Sequence, residues 1–242
     1  MHRSYADGII VKNIGEIIEL SADESKHVSK VLRIKEGEKI ELCDVSGKAY
    51  LAEVVTSTGT VEVKVLEEID NNEPAKEVVL FQSLSKGTKM DLVIQKAVEL
   101  GVSKIYPVET EFSVVKIKDE NSKTVRWNRI ALEAVKQCKR SKVPVVCDAI
   151  KFDKAIEIMS EYDLPVIAYE CDRENKYDDY FLKEINSVGI MIGPEGGFSE
   201  KEIEKAKSLG VKTTTLGKRI LRTETAAIAL LAVTMFKLHE LD

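Results

Sequence analysis

From residue 77 to its end the chain alternates short apolar runs with longer amphipathic ones, and this constrains the fold more than any other feature. Strand, helix and strand in succession make a parallel sheet covered by helices. Glu77 to Leu84 is predicted as the first strand. Thr88, with Asp91 three residues on, is predicted to cap a helix that buries Met90, Val93, Ile94, Ala97 and Leu100 and ends at Gly101. Lys104 to Val108 is the next strand. A helix from Lys123 to Arg140 buries Trp127, Ile130, Ala131, Ala134 and Cys138, and turns Arg126, Glu133, Lys136, Gln137 and Arg140 outward. Pro144 to Ile150 is strand-like, Phe152 to Tyr162 helical, Pro165 to Glu170 a strand, and Cys171 to Lys176 a charged loop. Val188 to Ile192 and Val211 to Leu216 are strands, and Ala226 to Leu238 is a helix. An α/β domain is therefore expected over residues 77–242.

Residues 1–70 read differently. Gly8 to Val11, Ile14 to Leu20, Lys39 to Cys43, Ala49 to Thr56 and Thr60 to Leu66 are predicted strands separated by glycine and asparagine turns. Ser21 and Glu24 form a capping-box pattern that opens a helix from Asp23 to Leu32. Short strands this dense usually curl into a small barrel that hides their edges. The acidic, proline-punctuated stretch from Glu67 to Pro74 reads as the linker.

Two loops in the second domain carry the chemistry. Ile190-Met-Ile-Gly-Pro-Glu-Gly-Gly-Phe-Ser199 reads as strand, glycine turn and helix start, with Ser199 and Glu202 as a capping box. Glycines there let the backbone turn sharply or approach a ligand, and a helix N-terminus favours an acceptor-rich or negatively charged one. Leu216-Gly-Lys-Arg-Ile-Leu-Arg-Thr-Glu-Thr-Ala226 repeats the strand, loop and helix pattern. At the ends of neighbouring strands the two loops would wall one cleft.

Composition excludes several classes. No apolar run reaches the length of a membrane span; the longest, Ala226 to Phe236, reads as a buried helix. The N-terminus shows no apolar signal region, so a cytoplasmic protein is expected. Cys43, Cys138, Cys147 and Cys171 have no paired spacing, and His2, His27 and His239 are scattered, which argues against a metal site or disulfide framework. His27 reads as a satisfied, partly buried histidine. The net charge is −5, and residues 1–70, with 9 basic and 14 acidic side chains, account for it. Basic clusters remain at Lys136, Lys139, Arg140 and Lys142 and at Lys218, Arg219 and Arg222. They suit a phosphate backbone, although charge alone favours a solvated face.

"GPEGGFSEKE" followed by "LGKRILRTETAA" resembles the C-terminal signature of the RsmE family. The resemblance extends to Arg3, to His27 through Arg33, to Gln82 through Gly101 and to Gln137 through Pro144. Lys218 stands where that family commonly has proline. The resemblance implies a SPOUT-type α/β domain with a deep trefoil knot, preceded by a PUA-like β-barrel. General topology rules alone would favour an unknotted doubly wound sheet. It also implies an S-adenosylmethionine-dependent methyltransferase, working as a homodimer, that methylates N3 of a uridine in 16S ribosomal RNA of the small ribosomal subunit. Carried onto this chain, the cofactor-binding positions are Gly193, Glu195, Gly196, Gly197, Leu216, Gly217, Ile220, Leu221, Thr223, Thr225 and Ala226. Arg222 is the expected catalytic cation, and Arg3, Arg33, Gln137 and Arg140 the expected RNA contacts. Glu195 and Glu224 are possible proton acceptors, as is solvent. Two other readings stay open: a nucleotide-binding α/β enzyme, disfavoured because no GxxxxGK[ST] or GxGxxG follows a strand, and a non-catalytic RNA-binding protein on the same fold.

Overall fold

The computed structural model describes every residue except 118, 119, 173, 174, 182 and 242, and only the backbone of residues 120–122. Residues 173 and 174 of the expected charged loop thus lie outside the described residues. The chain divides into two compact units, Met1–Glu73 with Val135–Val143, and Pro74–Ala134 with Pro144–Asp242. The first unit thus takes in a distant segment as well as the expected N-terminal stretch.

The first unit holds β1 (Arg3–Tyr5), β2 (Ile17–Glu19), α1 (Ala22–Lys26), a π-helical turn (His27–Val31), β3 (Lys39–Cys43), β4 (Ala49–Thr56) and β5 (Glu62–Ile69). They form one sheet in the order β1-β3-β4-β5-β2. β1 lies parallel to β3 and the other pairs are antiparallel. Register shifts between Leu51 and Ala52 and between Val54 and Thr56 increase the curl of the β4–β5 ribbon. The sheet wraps a core that includes Ile18, Leu20, Val28, Ile40, Leu42, Val54 and Val63. The strand expected at Gly8 to Val11 is absent. Gly8, at φ 75°, lies within a turn in which the Ile9 amide donates to the Ala6 carbonyl, and the strand is Arg3–Tyr5 instead. Ser21 accepts from the Glu24 amide, but the Glu24 carboxylate pairs with Lys136 at 2.8 Å, so the capping box is incomplete.

The second unit holds β6 (Glu77–Ser83), α2 (Lys89–Glu99), β7 (Lys104–Glu109), α3 (Glu120–Cys138, its last turn counted in the first unit), β8 (Val145–Val146), β9 (Ile150–Lys151), α4 (Phe152–Met159), β10 (Leu164–Ala168), a 3-10 turn (Tyr177–Phe181), β11 (Ser187–Ile192), α5 (Glu200–Ser208), β12 (Lys212–Thr214) and α6 (Thr223–Lys237). Its sheet runs β12-β10-β11-β6-β7-β8, with β9 also beside β7, and every pairing is parallel. β6 and β11 are the central strands and are buried almost throughout, as strands covered on both faces must be. Phe81 stacks on Tyr106 with ring centroids 5.1 Å apart. The strand expected across Pro144 to Ile150 is two short pieces, and Thr88 makes no side-chain cap. The 3-10 turn, not anticipated from the sequence, is anchored by the Tyr177 hydroxyl 2.7 Å from Thr234 Oγ1. α6 follows the edge strand β12 yet packs against α2 and β11, at the middle of the sheet.

Candidate active site

β10 lies between β11 and β12, so the loops leaving those two strands face each other across its carboxyl end. Parallel sheets place ligands at such ends. A cavity of about 340 Å³ opens there. Gly193, Glu195 and Gly197 line it from the first loop, Leu216, Gly217, Ile220 and Leu221 from the second, and Arg222, Thr223 and Ala226 from the start of α6. The expected positions Gly196 and Thr225 do not line it. Lys89, Tyr169, Glu170 and Thr215 do, and sequence reasoning missed them; Arg219, expected only as part of a basic cluster, lines it too. Tyr169 and Glu170 enter because β10 ends between the two loops, a neighbour relationship that chain order does not reveal.

Each glycine of the first loop has its own reason. A Cβ on Gly193 would stand 3.0 Å from the Phe198 ring. Gly197 has φ 69°, and a Cβ there would stand 2.7 Å from Glu170 Oε1. A Cβ on Gly196 would stand 3.0 Å from the Phe112 Cβ, so this glycine backs onto the loop after β7. In the second loop Gly217, at φ 102°, has open space around its missing side chain, and Thr215 Oγ1 accepts from its amide at 3.3 Å.

Thr223 ties the walls together. Its Oγ1 donates to the Gly193 carbonyl at 2.7 Å and accepts from Gln82 Nε2 at 2.9 Å. The expected capping box is present. Ser199 Oγ accepts from the Glu202 amide at 3.3 Å, and Glu202 Oε2 accepts from the Ser199 amide at 3.0 Å. The other oxygen, Glu202 Oε1, accepts from the Glu111 amide at 2.8 Å. With α5 capped by its own side chains, the helix start open to the cavity is that of α6, where Arg222 occupies the N-cap position without a capping side chain.

The charges are arranged around this space. Glu195 pairs with Lys89 at 2.6 Å. Burial pushes the Glu195 carboxyl up, but the Lys89 hydrogen bond and ammonium charge and backbone amides outweigh it and hold the carboxyl below the ordinary carboxylate range. Arg222 is exposed at the cavity wall, and neither Glu195 nor Glu224 pairs with it. Glu224 Oε2 is buried and has no hydrogen-bond partner among the described residues.

The expected RNA contacts fall into two kinds. Arg33, at φ 57°, and Gln137 are exposed. Arg3 is partly buried, its side chain only 6% exposed: its guanidinium bonds Glu41 at 2.7 and 2.8 Å and also reaches the Lys139 carbonyl. Arg140 is buried, held by Glu73 through Nη2 at 2.7 Å and Nε at 3.2 Å. Glu73 Oε1 further accepts from the Ser141 and Lys142 amides at 2.7 and 2.9 Å. Gln137 and Arg140 do not share a helix face, because α3 ends at Cys138 and Lys139 turns the backbone at φ 59°.

Residues 71–235 match the RNA methyltransferase domain family, and residues 20–66 match the RNA methyltransferase PUA domain family. The parallel sheet with its strand-end cleft and the β unit before it thus define an RNA methyltransferase of the PUA-containing class. The chain is 34% identical to the Ribosomal RNA small subunit methyltransferase E of Bacillus subtilis over 228 residues, covering 90% of this chain and 89% of that one. It is 37% identical to the protein of the same name from Mesomycoplasma hyopneumoniae over 205 residues, covering 84% and 87%. Its fold matches the crystal structure of a Ribosomal RNA small subunit methyltransferase E from Neisseria gonorrhoeae bound to S-adenosyl methionine, with a TM-score of 0.86, 34% identity and coverage of 98% and 97%. The chain belongs to the ribosomal RNA small subunit methyltransferase E family, the family named RsmE above.

Proposed function

We propose that the protein methylates N3 of a uridine in 16S ribosomal RNA of the small ribosomal subunit, with S-adenosylmethionine bound in the cleft between the two loops. The observation that carries this reading is the cavity itself. Ile192, Leu216, Leu221 and Ala226 offer apolar walls to a flat heterocycle, and the Glu170 carboxylate offers negative charge to a sulfonium. When bound, this cofactor supplies an electrophilic methyl group, so the protein's task is to position the acceptor and manage its proton.

Arg222 has the position for that task. Its guanidinium, at the cleft wall and paired with no carboxylate among the described residues, stabilises the anion left when the uracil imide loses its proton. Thr223 fixes the distance between the two walls, and Gly193, Glu195, Gly197, Gly217, Ile220 and Leu221 contact the cofactor. Gly196 and Thr225 act at one remove, Gly196 by seating Phe112 and Thr225 within the first turn of α6. On the RNA side, Arg33 and Gln137 face outward, while Arg3 and Arg140 brace the PUA-like unit from inside.

The α/β domain carries a trefoil knot at this cleft, a reading supported by the return of the tail from edge strand β12 to the sheet centre at α6. The protein acts as a cytoplasmic homodimer. Support for the dimer comes from α6, which leaves Val233 and Phe236 exposed although its opposite side is buried.

The test has two arms. Purified protein is incubated with labelled S-adenosylmethionine and small subunits from a strain lacking it, and the RNA is digested for mass spectrometry. N3-methyluridine at one position, missing from the deletion strain, is the expected result; no incorporation, or methyl on another atom, overturns the proposal.

A further inference from the structure

We infer that Phe112 is the platform on which an unpaired RNA base stacks beside the methyl-transfer cleft, an inference that rests on the RNA methyltransferase reading. The residue lies in the loop after β7 and keeps 46% of its surface exposed. A single exposed apolar residue is ordinary on a protein surface. This one differs in how it is held and in what it adjoins.

Its loop is fastened on both sides of the ring. Thr110 and Ser113 are buried and hydrogen bond to each other, with their hydroxyls 2.8 Å apart and the Thr110 amide donating to Ser113 Oγ at 3.1 Å. The Ile117 amide donates to Glu109 Oε2 at 2.8 Å. The residue just before the phenylalanine, Glu111, donates its amide to Glu202 Oε1. That same carboxylate caps α5, so one buried side chain sets the position of the Phe112 loop against the first cleft loop.

The contact between the loops is close. A Cβ on Gly196 would stand 3.0 Å from the Phe112 Cβ, closer than ordinary van der Waals contact. Gly196 sits between Glu195 and Gly197, both of which line the cleft. The root of the phenylalanine is therefore packed at the rim of the cleft while nearly half of the side chain stays open. Arg219 and Arg222 line the same cleft and suit the phosphates of a strand laid across it. Enzymes that modify a base need it unstacked, and exposed aromatic rings hold such bases in single-stranded RNA.

The experiment compares full-length wild type with Phe112→Ala, Phe112→Leu and Phe112→Trp. Each is assayed for methyl transfer to small subunits and for S-adenosylmethionine affinity by calorimetry. The alanine variant is expected to lose roughly 5- to 150-fold in kcat/KM for RNA, the range for one stacked base, with cofactor affinity unchanged. Leucine should behave like alanine, and tryptophan should restore activity. Short single-stranded RNA should also quench the fluorescence of the indole introduced by Phe112→Trp, beyond any change seen with the native Trp127. Unchanged kcat/KM in the alanine variant, or full activity with leucine, overturns the inference. If the wild type transfers no methyl group, the enzyme reading fails; quenching by RNA would then still support the platform, and its absence would reject that as well.

Discussion

The hydroxyl of Thr223 donates to the carbonyl of Gly193 at 2.7 Å, joining the first residue of one cleft loop to the first residue of the helix that follows the other. The same oxygen accepts from Gln82 at the end of β6, so three stretches of chain meet at one side chain.

Thr223→Val keeps the shape and deletes the hydroxyl. The Gly193 carbonyl and the Gln82 amide then lose their common partner, at a cost of about 1–3 kcal/mol for an unsatisfied buried group. Urea denaturation should show that loss, and calorimetry a weaker S-adenosylmethionine affinity. Thr223→Ser should restore both.

Arg222→Ala should leave cofactor affinity within a few-fold and cut methyl transfer to small subunits by about 100- to 1,000-fold, the usual cost of removing one group that stabilises developing negative charge. Single-turnover incorporation at saturating cofactor measures it. Retained turnover would remove the arginine from the chemistry.

Gly197→Ala and Gly196→Ala should separate. Gly197 sits at φ 69° with Glu170 in the path of a Cβ, so its alanine variant should distort the cleft and lose cofactor affinity. At Gly196 the new methyl meets Phe112, so cofactor affinity should hold within a few-fold while the RNA step weakens. Calorimetry and methyl transfer, run side by side, distinguish the two.

The Lys89–Glu195 pair predicts a pH dependence. The Glu195 carboxyl lies below its ordinary 4.5 in the folded protein. Its stabilising contribution is therefore present above 4.5 and fades as pH falls through the lower folded value. In Lys89→Ala the carboxyl should titrate closer to the ordinary value, and a carbon-detected NMR titration reads the midpoint directly. An unmoved midpoint would mean the pair does not form in solution.

Glu73→Ala removes the partner of Arg140, whose side chain is only 7% exposed. Breaking a buried pair from one side costs about 3–5 kcal/mol, while replacing both partners by apolar groups is often neutral. Thermal unfolding should show a large loss for Glu73→Ala and recovery in Glu73→Leu combined with Arg140→Met. If Arg140→Met alone weakened RNA binding without changing stability, the bracing role would be wrong.

Local chemistry settled much of this molecule. β3 and β4 begin and end where the alternation of apolar residues places them, and the Ser199–Glu202 capping box forms as its spacing requires. Glycine turns and strand-to-helix transitions near the tail located both loops, because backbone geometry and capping depend on residues only a few positions apart. Pairing across the chain was another matter. That a Cβ on Gly196 would meet Phe112, that Glu170 reaches the cleft, and that Arg3 and Arg140 pair with Glu41 and Glu73 all follow from which segments the sheet order and the docking of residues 135–143 bring together. A guanidinium reads the same in a sequence whether its partner is a phosphate or a carboxylate from a segment dozens of residues away; only burial, which the tertiary fold imposes, makes that choice.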